Sequence, residues 1–322
     1  MLALRLNADR QLHLDPAAPE PSPGPDDAVI RPIQMGICST DLELIKGYMG
    51  FAGTLGHEFV GVVEAVGSKK HKDWVGKRVV GEINCVCGVC DMCKAGLRTH
   101  CRNRTVLGIL NRDGCFAEAL TLPVINLHEV PDNIDNDTAV FTEPLAAAFQ
   151  ILQQLTIEGR PYVTVLGDGR LGLLCTQVMA GLNATVRCVG KHPEKLALCE
   201  KWGVKHRLLG DVGLRKDQDI VVDATGSPSG LVTAMQMVRP RGTIVMKTTV
   251  APDSDVALDL SPLVIDEIKL IGSRCGPFAV ALDALSAGTI DVISLISKRV
   301  KLKDADKALP AARGQLKVLI EP

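Results

Sequence analysis

Aromatic residues make up only 3% of this 322-residue chain. So few rings exclude the stacking platforms on which single-stranded nucleic acids are commonly held. An excess of charge of one sign is also lacking. The formal net charge is −1, so no overall field draws the chain to nucleic acid or to an anionic membrane. No apolar run reaches the roughly 18 residues that a membrane-spanning helix needs. The opening residues, Met1-Leu-Ala-Leu-Arg5-Leu-Asn7, lack the apolar core of a signal peptide and read as a first strand, so a cytoplasmic location is expected. With so few rings, the core has to be built from Val, Leu, Ile and Ala. The length suggests two domains, each with enough material for a core of its own.

Cysteine, by contrast, is plentiful, with 11 residues. Four of them, Cys87, Cys90, Cys93 and Cys101, stand at Cys-x2-Cys-x2-Cys-x7-Cys spacing. A short loop can wrap four such sulfurs into a tetrahedron, a geometry that suits Zn2+. Four thiolates close the shell and leave no position for a substrate, so this metal would be structural. Disulfides and an iron–sulfur cluster are the alternatives. The odd cysteine total and a reducing compartment argue against the first. An iron–sulfur run of the bacterial type would bring its fourth cysteine sooner and follow it with proline. Cys85 is left over, with no evident role.

The pattern of the chain changes near Pro144. Before it, short branched or alternating runs (Leu2–Leu6, Ala28–Ile33, Phe59–Val66, Arg78–Val80) are separated by Pro, Gly and Asp, which predicts a mostly β domain. After it, strands and helices alternate: Tyr162–Leu166, Leu171–Gly181, Thr185–Val189, Pro193–Trp202, Ile220–Asp223, Gly230–Val238 and Thr243–Lys247. That rhythm predicts an α/β, doubly wound parallel sheet. The tail holds a further helix, Ala279–Ala287, and strand-like runs that should return to the first domain to complete its sheets. The expected division is 1–145 plus 276–322, with a metal lobe at about 84–102, against 146–275.

Within the second domain, Gly167-Asp-Gly169-Arg170-Leu171-Gly172 is a GxGxxG directly after a strand and opening a helix. In that setting the three glycines do different things. Gly167 allows the tight turn, Gly169 lets a pyrophosphate approach the backbone, and Gly172 lets helix and strand pack closely. The free N–H groups at the helix start would hold the diphosphate. The next strand ends in Gly190-Lys191-His192, with no acid to take a ribose 2′-hydroxyl before Glu194. Lys191 and His192 could instead face a 2′-phosphate, which favours NADP(H) over NAD(H); a solvated loop is the alternative. Asp223-Ala-Thr225-Gly226 and Lys247-Thr248-Thr249-Val250 end later strands and should border the ribose and nicotinamide.

Two segments of the β domain add chemistry: Gly36-Ile-Cys38-Ser-Thr40-Asp41 and Gly56-His57-Glu58. Either alone reads as structural. In order and spacing with the four-cysteine run and GxGxxG, they resemble the medium-chain, zinc-containing alcohol/polyol dehydrogenase family over nearly the whole chain. The resemblance implies a GroES-like catalytic domain beside a Rossmann domain, and two zinc ions, one catalytic and one structural. It implies an oxidoreductase that moves a hydride between an alcohol and NAD(P), zinc polarising the substrate oxygen. Cys38 and His57 would ligate the catalytic zinc. Glu143, in Phe141-Thr-Glu143-Pro144-Leu145, matches the family's Glu-Pro-Leu variant and would be the third ligand, directly or through water, with Glu58 exchanging on and off. The alternative for Glu143 is a carboxylate at a helix N-terminus. Asp41 would fix the His57 tautomer, and Thr40 would start the proton relay. The relay departs from the family where Glu43 stands in place of a frequent His. Arg274 is a further candidate cofactor contact, with a surface ion pair as the alternative. The substrate would be a small alcohol or carbonyl compound, and the assembly a homodimer or homotetramer. A zinc hydrolase or lyase, a non-catalytic dinucleotide-binding protein and a reductase without catalytic zinc are the rival functions.

Overall fold

The computed structural model describes residues 1–249 and 258–322. Val250, expected near the nicotinamide, lies outside them. Two compact units form: Met1–Glu143 with Leu285–Ala287 and Leu295–Pro322, and Pro144–Ala284 with Gly288–Ser294. Residues 276–284 and 288–294, expected with the first domain, thus group with the second. The chain is held there by close backbone approach and by polar ties. A Cβ on Gly276 would lie 1.9 Å from the Ala146 carbonyl oxygen. Asp291 N donates to Gln177 Oε1 at 2.7 Å, and the Trp202 indole donates to Asp291 at 3.1 Å.

In the first unit the strands Asp27–Gly36 and Glu58–Val66 pair antiparallel at the heart of a seven-stranded sheet. Ala28, Ile30, Val60 and Val63 are all but inaccessible there. The ladder slips between Pro32 and Gln34, where proline has no N–H to offer. The tail does return: Lys317–Glu321 pairs antiparallel with Asp27–Gly36, Leu319 opposite Gly36. That pairing brings the Lys317 side chain against Gly36, where a Cβ would lie 2.3 Å from its Nζ. The two short strands Asn84–Cys85 and Thr105–Val106 pair and frame the cysteine loop.

The second unit is built on six parallel strands, ordered Lys205–Leu208, Thr185–Gly190, Tyr162–Leu166, Gln218–Asp223, Val238–Met246, Lys269–Gly272. Numbered along the unit this is 3-2-1-4-5-6, the order of a dinucleotide-binding sheet. Leu166, Val189, Val221 and Ile244 pack with Leu231, Ala234 and Met235 of the helix Pro228–Met237 in one apolar cluster. The helix expected over Pro193–Trp202 is two short ones, Pro193–Leu196 and Leu198–Lys201. The helix expected over Ala279–Ala287 spans Phe278–Ser286. Lys205–Leu208 is a strand that the pattern does not reveal, because Lys205, His206 and Arg207 carry no apolar alternation. It lies at the sheet edge, where charge is tolerated and discourages further pairing. Among the described residues no helix is long and apolar enough to cross a membrane.

Candidate metal centre and dinucleotide site

The loop between the paired strands Asn84–Cys85 and Thr105–Val106 gathers four thiols. Cys90 Sγ lies 3.6 Å from Cys93 Sγ and 3.8 Å from Cys101 Sγ, and Cys101 Sγ lies 3.6 Å from Cys87 Sγ. Four sulfurs at the usual zinc–thiolate length stand about 3.8 Å apart along a tetrahedron's edges. All 11 cysteines are free thiols, which removes the disulfide alternative. Backbone N–H groups, those of Val89 and then Cys90, pull the Cys87 thiol down to about 6. Those of Cys93 and Arg102 lower Cys90. Burial, with the neighbouring thiols, pushes Cys93 up to about 12. The backbone N–H groups around Cys87 and Cys90 thus favour the thiolate form that a cation site needs. Cys85 is not part of it: buried and pushed up to about 11 by that burial, it faces the Asn126 amide at 3.9 Å.

The second cluster forms where two segments of the first unit converge. Cys38 precedes the helix Ser39–Ile45, and its backbone N–H donates to Asp41 Oδ2 at 2.8 Å. His57 and Glu58 enter the central strand after Gly56, whose φ of +93° only glycine adopts readily. A Cβ at Gly56 would also strike the Phe116 ring at 2.4 Å. One donor atom each from Cys38, His57 and Glu58 lie within 4.8 Å of one another. His57 Nδ1 stands 3.4 Å from Asp41 Oδ1, both groups buried and neither atom otherwise hydrogen-bonded. Burial opposes a charged His57, yet Asp41 and then Cys38 outweigh it, and the ring titrates well above its usual range. Thr40 Oγ1 lies 3.6 Å from Cys38 Sγ.

Lys317 joins this cluster although no motif marks it. It is wholly buried and pairs with Glu58, itself wholly buried. Its Nζ also stands 5.2 Å from the centre of the Phe141 ring. Burial pushes its ammonium below the ordinary range against the pull of Cys38 and Asp41. A lysine opening the apolar run Lys317-Val318-Leu319-Ile320 is the available signal, since an unpaired buried ammonium is rare. Glu143 lies half-buried in the first turn of the helix Thr142–Gln154 and is not one of the three clustered donors. A thiol, an imidazole and the carboxylates of Asp41 and Glu58 converge there beside one lysine. That donor chemistry fits a zinc ion with an open position.

In the second unit the glycine motif turns as expected. Gly167 has φ +111°, and Cβ atoms on Gly167 and Gly172 would lie 2.7 Å from Ala224 O and 1.9 Å from Gly167 O. Gly169 has nothing within 4 Å of its would-be Cβ. Backbone therefore stands open for a diphosphate at the start of the helix Arg170–Ala180. Arg170 and Leu171 form the first turn of that helix. Asp168, between the first two glycines, reaches to Gly190-Lys191-His192, which closes the strand Thr185–Gly190. Thr225 N and Oγ1 both donate to Asp223 Oδ1, and Gly226 N donates to Thr248 Oγ1 at 2.9 Å. This ties together the loops after two adjacent strands. Thr249 is exposed beside them, and Arg274 is exposed, its carbonyl accepting from Lys247 Nζ at 3.2 Å.

Residues 24–132 match the family of the alcohol dehydrogenase GroES-like domain, and residues 137–321 match the glucose dehydrogenase C-terminus. The chain is 28% identical to L-threonine 3-dehydrogenase of Salmonella gallinarum over 317 residues, 92% of each chain. Among solved structures it is similar to one described as a zinc-binding dehydrogenase of Sinorhizobium meliloti 1021 bound to NADP, with 31% identity and a TM-score of 0.89 over 100% of this chain and 99% of that one. It is also similar to alcohol dehydrogenase TADH of Thermus sp. ATN1, with 26% identity and a TM-score of 0.88 over the whole of both chains. The chain belongs to the medium-chain, zinc-containing alcohol/polyol dehydrogenase family. It is accordingly a hydride-transferring oxidoreductase that works with zinc and NAD(P).

Proposed function

We propose that this enzyme interconverts a small polar alcohol and its carbonyl product with NADP(H), one zinc ion serving at Cys38, His57 and a carboxylate. A second zinc ties the Cys87–Cys101 lobe. The carrying observation is the meeting of thiol, imidazole and carboxylate within 4.8 Å, with the Thr40 hydroxyl beside the thiol.

When bound, zinc supplies Lewis acidity toward the substrate oxygen, and the nicotinamide supplies the hydride acceptor. The chain's own residues supply orientation and proton handling. Asp41 receives the Nδ1 proton of His57, which reserves the other ring nitrogen for metal. Glu58 is the clustered carboxylate; Glu143, directly or through water, would serve as the third ligand with Glu58 exchanging, and the pairing of Glu58 with Lys317 supports this by giving it a partner other than the metal. Thr40 Oγ1, 3.6 Å from Cys38 Sγ, would take the substrate's hydroxyl proton and start the relay outward. Glu43 already accepts from Lys46 Nζ at 2.6 Å, which leaves water as the onward carrier. Lys191 and His192 take the 2′-phosphate, while Thr225, Gly226 and Thr249 border the remainder of the cofactor.

The threonine and alcohol dehydrogenase relatives support a secondary alcohol flanked by polar groups. The enzyme works in the cytoplasm as a homodimer or homotetramer; the strand Lys269–Gly272, at the edge of its sheet among the described residues, supports association with a second copy.

The test is turnover of a panel of amino alcohols, polyols and simple alcohols, followed by NADPH and NADH absorbance. Turnover with NADP+ above that with NAD+ is expected. Tight cofactor binding without turnover on any member would favour the non-catalytic rival, and no cofactor binding would favour the hydrolase.

A further inference from the structure

The second unit places a carboxylate where its local sequence has none. Asp168 sits in the glycine loop, 22 residues before Gly190, yet its side chain lies against the end of the strand Thr185–Gly190. Its Oδ2 accepts from Lys191 N and His192 N, each at 2.6 Å, and its Oδ1 accepts from His192 Nδ1 at 2.9 Å. Gly190 makes room for this: a Cβ there would lie 2.2 Å from Asp168 Oδ2. Asp168 is 6% exposed. Burial would push its carboxyl up, but the His192 ring and the two amides prevail and hold it below the usual range. It is therefore an anion, and an anion only accepts. His192 must present Nδ1–H to it, which orients the ring, while the Lys191 side chain is exposed.

Such a carboxylate can act in two ways. It can substitute for the absent acid and take ribose hydroxyls, which would favour NAD(H). Alternatively, its oxygens can be occupied by the turn, so that it shapes the turn instead of touching the cofactor. Its burial and the donors already on both oxygens favour the second.

We propose that Asp168 is a positioning residue for cofactor choice: it clamps the turn Gly190–His192 so that Lys191 and His192 stand ready for the 2′-phosphate of NADP(H). This rests on the NADP(H) reading above and goes beyond it, because it assigns the discrimination to a residue outside the basic pair. The hydrogen bonds of Asp168 go to the turn Gly190–His192 and not to the N–H groups that open the helix Arg170–Ala180. Removing them should therefore weaken NADPH binding and leave NADH binding nearly unchanged, a selective loss that mere weakening of the fold would not produce.

The experiment is a fluorescence titration of the zinc-loaded protein with NADPH and with NADH, for wild type, Asp168→Ala, Asp168→Asn, His192→Ala and Lys191→Ala. Expected are tighter binding of NADPH by wild type, an NADPH Kd raised about tenfold or more in Asp168→Ala, and an NADH Kd changed less than about twofold. Asp168→Asn, which keeps an acceptor for the two amides, should fall between. His192→Ala added to Asp168→Ala should cost little more, since both remove one unit. Equal loss of both cofactors would reduce Asp168 to a structural prop, and a larger loss of NADH would make it a ribose ligand; either overturns the proposal. If Asp168→Ala does not fold, the exposed substitutions His192→Ala and Lys191→Ala decide the matter, and an unchanged cofactor ratio in both overturns it. A wild type that prefers NADH would instead overturn the NADP(H) reading itself.

Discussion

Glu58 and Lys317 form an ion pair with no exposed surface on either side chain, and Glu58 is at the same time one of three donors gathered for a metal ion. Taking both charges out of water is costly, and each compensates the other. Removing one partner alone is then worse than removing both. Lys317→Met should lower the stability of the metal-free protein by about 3 kcal/mol or more, and Glu58→Gln with Lys317→Met should recover most of it. Denaturant unfolding measures this. A loss below about 1 kcal/mol would mean that the pair is no stronger than a surface bridge.

Gly36 faces that pair. A Cβ there would lie 2.3 Å from Lys317 Nζ and 2.7 Å from Glu58 Oε2. Gly36→Ala should therefore displace the pair and empty the neighbouring metal centre, while the four-thiol lobe keeps its ion. Metal analysis should fall from two zinc per chain to one. Two retained ions would show that the pair yields without disturbing the centre.

Gly172→Ala meets a backbone oxygen at 1.9 Å and has no flexible neighbour to move. NADPH affinity should drop by about 100-fold or more because helix and glycine loop must part. Zinc content, which depends on the other unit, should stay unchanged. Titration of the variant with NADPH, alongside metal analysis, separates the two effects.

Whatever is local can be read along the chain. The four cysteines, the glycine loop after its strand, and Cys38 three residues before Asp41 lie within short segments whose backbone alone brings them together. The features that escape such a reading depend on strands meeting across long separations. Lys317 reaches Glu58 only because the last strand pairs with Asp27–Gly36, and Asp168 reaches His192 only across two neighbouring strands. Residues 276–284 and 288–294 fall on the unexpected side of the domain division for the same reason. Nothing in their composition announces that Gly276 will press on Ala146 or that Asp291 will meet Gln177 and Trp202.

Cys175, fully buried on the helix Arg170–Ala180, is pushed by that burial from an ordinary 9.0 up to about 11. A thiol held neutral in the fold contributes its stability below pH 9, where both states keep the proton, and loses it as pH rises toward 11. Stability should fall by about 2 kcal/mol per such thiol across that window. Cys175→Ala should make the alkaline limb shallower in denaturant unfolding between pH 9 and pH 11. An unchanged limb would show that other groups govern it.

The central claim is that Cys38 and His57 share one catalytic zinc distinct from that of the four-thiol lobe. Its most direct test is zinc content measured together with turnover in wild type, Cys38→Ser and His57→Ala. Two ions per chain are predicted for wild type. One is predicted for each variant, with NADPH binding intact and turnover down by about 1,000-fold or more. A wild type holding a single zinc, or a Cys38→Ser enzyme that turns over normally, would contradict the account.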